Sequence, residues 1–254
     1  MSLLSYCPQL RRNTSPVPES LDCSAVVDKC LSITWCRQLL SLAAALQGFD
    51  EAHGLPHTVR VMCIAFKLKE MIGAHDINDE EMYAATILHD VGRGVEERLG
   101  IHHAIVSASI AELVLPRMGF SSDVVEKVKR AILEHSYSLS GGKYSSVLSC
   151  ILSDADKLDA LGAIGVYRAI YYSGRHERDI DGTLNHYREK LARLDQFLCS
   201  DAARKLAVNK AHILREFFDG LAAEHEAYID GVKRAVTAAR KELAATATNS
   251  FGDS

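Results

Sequence analysis

An all-α fold is what this sequence predicts, on three observations. The chain holds only 5 prolines. It is rich in alanine and leucine, and no stretch alternates apolar and polar residues long enough to read as a half-buried strand. Apolar residues make up 48% of the 254 and charged residues 24%, values that suit a chain burying a sizeable core. Helices are expected at residues 22–47, 56–74, 79–91, 102–118, 122–137, 145–173, 184–198 and 201–243.

Several boundaries carry a mechanism. Pro56 suits the first turn of the second helix, where its missing N–H leaves no bond unmade. Asn78 and Glu81 have the spacing of a capping box for the third, and Gly92 and Gly94 are read as stopping it. The stretch "SLSGGKYSS", residues 138–146, reads as a flexible turn between the fifth and sixth helices. Apolar positions recur at helical spacing in the last helix, so it is expected to pack on the bundle, with a homodimer contact as the alternative. "DIDGTLNH" resembles the start of a calcium loop but lacks the spaced acidic ligands and closing glutamate, so it is set aside. Residues 1–21, with Pro8, Pro16 and Pro18, are expected to be a flexible extension; their two arginines match an organelle-targeting peptide poorly. Residues 244–254 read as a frayed tail. A single helical domain, 22–243, remains between them.

Composition excludes some functions. With 29 basic and 33 acidic side chains the net charge is -4, which leaves no electrostatic footprint for nucleic acid. A local basic pocket for a small anion stays open. No apolar run approaches the roughly 18 residues a membrane helix requires. The cysteines, Cys7, Cys23, Cys30, Cys36, Cys63, Cys150 and Cys199, are odd in number and include no C-x-x-C pair. They are read as reduced, buried thiols of a cytoplasmic protein.

The chemistry-bearing residues fall in a regular order. His57 opens the second helix in "LPHTVRVMCIA". His89 and Asp90 end the third in "AATILHDVGRG", and His102 and His103 open the fourth in "GIHHAIVSASIAE". His135 ends the fifth in "AILEHSYS". Asp154 and Asp156 lie early in the sixth, in "SDADKLDALGAIG". Each alone has an ordinary explanation as a polar residue or dipole contact at a helix end. Together they offer what a divalent ion needs, several convergent nitrogen and oxygen donors. Neighbours on a helix diverge by about 100°, so His89 and Asp90 can share an ion only off the helix wall, completed by donors from other helices. An up-and-down bundle can gather these ends on one side of its core.

The order H…HD…D on successive helices resembles the HD-domain metal-dependent phosphohydrolase superfamily. "HTVRV" is similar to its first-histidine helix, "ILHDVG" to its namesake doublet, and "ADKL" to its closing aspartate. "AILEHSYS", "SDADKLDALGAIGVYRA" and "LNHYREKLARL" resemble the small single-domain HD hydrolases, some of which are nucleotide pyrophosphohydrolases. The resemblance spans roughly residues 50–225. It implies a helical bundle with the metal site in its core and His57, His89, Asp90 and Asp156 as ligands. Asp156 is chosen over Asp154 because it fits the A-D-[KR]-L pattern; Asp154 is expected behind it. His103 and His135 are expected either to bind a second ion or to contact substrate phosphate. His102 is expected to face outward, and His53 to lie on the surface or at a pocket edge. Arg93 departs from relatives that carry another residue after "HDVG", which leaves the general acid for the leaving group unassigned.

The function implied is metal-activated water attacking phosphorus in a small phosphate ester or a nucleotide. Asp90 is expected to orient or deprotonate that water. Arg60, Arg93 and Lys157 are expected to hold phosphate, Arg93 through its bidentate fork. The mixed nitrogen and oxygen set suits one or two ions of Mn, Fe, Co or Zn better than Mg. No Gly-rich phosphate loop and no base-stacking motif appears, so the nucleotide rests on resemblance alone. A di-iron HD-fold oxygenase is the alternative, because His57, His89, Asp90, His103, His135 and Asp156 are six ligands of the right kinds. A non-catalytic HD sensing or binding module is the third reading, and intact ligands at every station argue against it.

Overall fold

The computed structural model describes residues 22–249. Among them are helices α1 (Cys23–Ser32), α2 (Thr34–Gln47), α3 (Leu55–Ile72), α4 (Asp79–Leu88), α5 (Arg93–Leu99) and α6 (His103–Val114). There follow α7 (Ser122–His135), α8 (Tyr137–Ser140), α9 (Val147–Asp159), α10 (Gly162–Arg175), α11 (Ile180–Glu189) and α12 (Asp201–Asn249). Two 3-10 segments, Pro116–Met118 and Leu191–Phe197, complete it. No strand occurs among the described residues. The fold is the all-helical bundle the sequence predicts.

The core forms where α3, α4, α6, α7 and α9 pack on one another. Helix α4 runs through its middle: every residue from Glu81 to Leu88 is buried. Met62, Leu68, Tyr83, Ile87, Ile132, Ile151 and Leu152 are among the fully buried side chains, each worth about 1.5–3 kcal/mol by removal from water. Ala203, Ala207, Ala211, Leu214 and Phe218 form the buried stripe of α12, at spacings that keep them on one helix face. Helix α12 then continues to Asn249, past the expected end at 243. The expected extension, residues 1–21, and the rest of the expected tail, 250–254, lie outside the described residues. No helix among the described residues is long and apolar enough to cross a membrane.

Several expected elements are divided. Residues 22–47 break at Ile33, whose backbone is extended (φ -99°, ψ 125°). Residues 145–173 break before Gly162, which takes a left-handed conformation (φ +75°). Gly92 and Gly94 do not end the helical region, because α5 starts between them. At Gly92 a Cβ would come within 2.4 Å of the His103 carbonyl oxygen, so glycine serves the close approach of α6. The capping box is absent as well. Asn78 makes no side-chain cap bond, and buried Glu81 instead accepts from Lys127 Nζ at 3.0 Å.

The cysteine expectation is overturned. Cys23–Cys63, Cys30–Cys36 and Cys150–Cys199 are disulfides, with Cα separations of 5.2, 5.4 and 5.7 Å. Partners meet where α1 packs on α3 and α2 and where α9 meets the segment before α12, which linear spacing does not report. The cysteines therefore no longer argue for a reducing compartment. Cys7 lies outside the described residues.

Candidate metal centre

The termini of five helices come together, the N-terminal ends of α3 and α6 and the C-terminal ends of α4, α7 and α9. Helix α3 presents His57 in its first turn, after the Gly54 N-cap. Helix α4 ends at Leu88 and passes into His89 and Asp90. His103 is the first residue of α6, His135 the last of α7, and Asp156 lies in the last turn of α9. His57, His89 and Asp90 are fully buried, and His103 and His135 nearly so.

The donor atoms fall into two groups that share Asp90. In the first, His57 Nε2 stands 3.3 Å from His89 Nε2, 3.5 Å from Asp156 Oδ1 and 3.7 Å from Asp90 Oδ2. His89 Nε2 is 3.8 Å from that same Asp90 oxygen. In the second, Asp90 Oδ1 lies 3.4 Å from His103 Nε2 and 3.7 Å from His135 Nε2. Donors about 2.0–2.2 Å from one ion stand roughly 3.0–3.5 Å from each other, so both groups are close to ligating distance. Asp90 Oδ1, His103 Nε2 and His135 Nε2 are buried without a hydrogen-bond partner. Three orphaned polar atoms aimed at one point are costly unless a cation satisfies them. The residues present fit a divalent ion.

The outer nitrogens are all tied down. Nδ1 of His57 meets Asp159 Oδ2 at 2.8 Å, that of His89 the Thr86 carbonyl at 2.8 Å, that of His103 Glu96 Oε2 at 2.8 Å, and that of His135 the Ile132 carbonyl at 2.5 Å. A carbonyl can only accept, so His89 and His135 carry their proton on Nδ1 and turn a lone pair on Nε2 inward. Burial pushes His89 and His103 down to about 4, and lowers His57 with help from Arg168. Neutral imidazoles are the ligand form. At Asp90, burial opposes ionisation, but the Arg93 guanidinium and His89 outweigh it and hold the carboxyl well below its usual range. Asp156 is likewise lowered against burial, with His57 its largest favourable neighbour.

Among the other expected site residues, Arg93 is at the cluster. Its Nε donates to Asp90 Oδ2 at 2.9 Å and its Nη1 to Glu96 at 3.3 Å. Arg60 is not placed to hold phosphate. It lies behind His57, donating to Asp159 Oδ1 at 2.8 Å and Glu51 at 3.2 Å. Lys157 also turns away, because one residue past Asp156 it leaves the helix in another direction; its Nζ donates to the Ser153 carbonyl at 3.2 Å and Tyr144 at 3.3 Å. Asp154 does not support the donors from behind. It caps α12, accepting from Cys199 N at 2.7 Å, Ser200 N at 2.8 Å and Ser200 Oγ at 2.6 Å. His102 caps α6 through Ala104 N. His53 is half-buried, its ring 6.2 Å from that of His57.

Three residues escaped the sequence reading. Asp159 orients His57 and is itself gripped by Arg60 and by Arg168 Nη1, the latter at 2.8 Å. Glu96 does the same for His103. Asp159 follows Asp156 by three residues in "DKLD", a spacing that keeps it on a neighbouring helix face; Glu96 and Arg168 left no such mark.

This fold and donor set define a helical-bundle protein able to bind divalent metal. Residues 54–161 match the family model described as HD domain, and every candidate donor lies inside that match. Residues 54–161 thus carry an HD domain, and the chain is similar to HD-superfamily hydrolases. An uncharacterized protein of Clostridium beijerinckii is 32% identical over 111 residues, which cover 43% of this chain and 66% of that protein. Uncharacterized protein YpgQ of Bacillus subtilis is 29% identical over 195 residues, covering 72% and 87%. Its crystal structure in complex with ADP aligns with TM-score 0.57 over 74% of this chain and 97% of that one, at 22% identity. A predicted HD superfamily hydrolase from an uncultured Thermotogales bacterium aligns with TM-score 0.53 at 28% identity, covering 74% and 91%.

Proposed function

We propose that this protein is a phosphohydrolase that releases phosphate or pyrophosphate from a nucleotide or a similar small phosphate compound. The observation that carries the reading is the buried cluster of His57, His89, Asp90, His103 and His135, with Asp156 3.5 Å from His57 and three orphaned buried atoms. His57, His89, Asp90 and Asp156 would hold one ion; His103, His135 and the second oxygen of Asp90 would hold another. The inward lone pair of His135 favours a second ion over phosphate contact, because an Nε2 without a proton cannot donate to a phosphate oxygen. An ion held by these residues would supply an activated water near neutral pH and would offset phosphoryl charge. Mn, Fe, Co or Zn suits the mixed donors better than Mg.

The chain's own residues set the geometry. Asp90 acts by position rather than as a proton acceptor, since Arg93 stabilises its charged form. Asp156 is the donor with an accessible side chain, 26% exposed against 0% for His57, and so marks the side from which substrate enters. The nucleotide part of the reading draws on the ADP complex of YpgQ. A screen of nucleotides and phosphate esters with Mn tests it: phosphorus-containing product is expected from wild type, and its absence across the screen would reject the reading. The same six donors also suit a di-iron oxygenase. Metal content of freshly purified protein separates the two, because two irons with a visible absorption band would favour the oxygenase.

A further inference from the structure

Helix α12 outruns the body of the protein. The stripe that packs on the body ends at Phe218. From Ala223 to Ala244 no residue is buried, and within that range His225 and Ile229 alone are half-buried. At 1.5 Å per residue this arm runs about 33 Å. Asp181, in the first turn of α11, ties the root of the arm to the body: it pairs with His225 Nε2 at 3.1 Å and Lys233 Nζ at 3.4 Å.

The apolar pattern does not stop where the body does. Ala222, His225, Ile229, Val232, Val236 and Ala239 succeed one another at alternating steps of three and four residues, the spacing of a coiled-coil seam. At about 100° per residue this seam stays on the side of α12 that carries Phe218. Val232 is 53% and Val236 43% exposed. A helix draws most of its stability from covering such a face, and what covers this one must lie where the body would be if it continued.

We propose that a second copy of this chain covers it, the two arms pairing as an antiparallel coiled coil over residues 225–243. Parallel arms would drive the N-terminal half of each α12 into the body of the other, because the seam is continuous with the stripe that the body already covers. Antiparallel arms place the two bodies at opposite ends. Run in opposite directions, the arms are self-complementary. With Arg234 at the centre, Val232 of one arm meets Val236 of the other and Ile229 meets Ala239, each contact made twice, as two-fold symmetry requires. On the flank, Glu226 of one arm meets Arg240 of the other at both ends. Lys233 meets its own counterpart, but Asp181 of its own chain already pairs its charge. The inference stands whether or not the protein hydrolyses phosphates.

Sedimentation velocity of the full-length protein over a range of concentrations tests it. Wild type is expected as a dimer that dissociates on dilution. Val232→Asp should be monomeric throughout, with the helical signal of the bundle retained. Glu226→Arg and Arg240→Glu should each raise the dissociation constant about tenfold, because an attractive pair becomes a repulsive one at both ends. Combined in one chain they should restore the wild-type value, which only the pairing of residue 226 with 240 allows. A monomeric wild type would assign the arm to a different partner and overturn the proposal. So would a dimer that survives Val232→Asp, or a double variant no tighter than either single one.

Discussion

The Asp159 carboxylate stands 2.8 Å from Nδ1 of His57, on the side of the imidazole away from the donor cluster. It fixes which nitrogen of His57 faces inward. Arg60 and Arg168 hold Asp159 in turn; against burial, the His57 hydrogen bond first and then Arg168 and Arg60 bring its carboxyl down to about 2. Asp159→Asn is expected to weaken metal binding about 10- to 100-fold, as removal of such supporting carboxylates does elsewhere, with helical content intact. Metal titration followed by circular dichroism checks it; wild-type affinity in the variant would remove Asp159 from the site. Asp159→Ala is expected to be worse for folding, about 3–5 kcal/mol, because it leaves buried Arg168 without its partner.

Two aspartates on α9 do different work. Asp156→Asn should lose metal and keep the fold. Asp154→Ala should keep metal and lose stability, about 1–3 kcal/mol, because Ser200 N, Ser200 Oγ and Cys199 N lose their shared acceptor. Thermal unfolding and metal content of both variants decide; metal loss in the Asp154 variant alone would invert the assignment.

The ligand ladder was legible because each histidine and aspartate sits at a helix end, and an up-and-down bundle collects such ends. What surrounds the ligands was not. Arg60 lies one helical turn past His57 and so shares its face, yet that face also meets Asp159, which arrives from α9 and captures the guanidinium. Lys157 follows Asp156 by one residue and therefore leaves the helix about 100° away. Helix α5 was hidden because Gly92 looks like a stop signal, when its task is to let the His103 backbone approach. Such facts belong to tertiary packing, which a local pattern does not encode.

Acid should destabilise the metal-free protein in two stages. His89 and His103 titrate at about 4 in the fold and near 6.5 unfolded. Between those values the unfolded chain takes up protons the fold cannot, so stability falls as pH drops from about 6.5 to 4. Asp159, lowered to about 2, adds stability above about pH 4 that is lost as pH falls toward 2. Melting temperatures of chelator-treated protein from pH 7 to 3 check the sign. A flat profile would show that these imidazoles are not held neutral.

His103→Ala and His135→Ala separate one ion from two. Each is expected to retain about half the wild-type metal, because His57, His89 and Asp156 still hold the first ion. Activity should fall mainly through kcat, since a second ion stabilises charge that develops in the transition state. Full metal occupancy together with a raised KM would instead assign both residues to substrate.

The most direct test is product release by chelator-stripped protein against added Mn, with a nucleoside triphosphate as substrate, in wild type and Asp90→Asn. Asp90 offers an oxygen to both donor groups, so its loss should disable both ion sites at once. Phosphate or pyrophosphate release is expected to be absent without metal, to rise to a plateau near two Mn per chain in wild type, and to stay at background in the variant. Equal release by wild type and Asp90→Asn, or release independent of metal, would contradict a metal-dependent phosphohydrolase centred on Asp90.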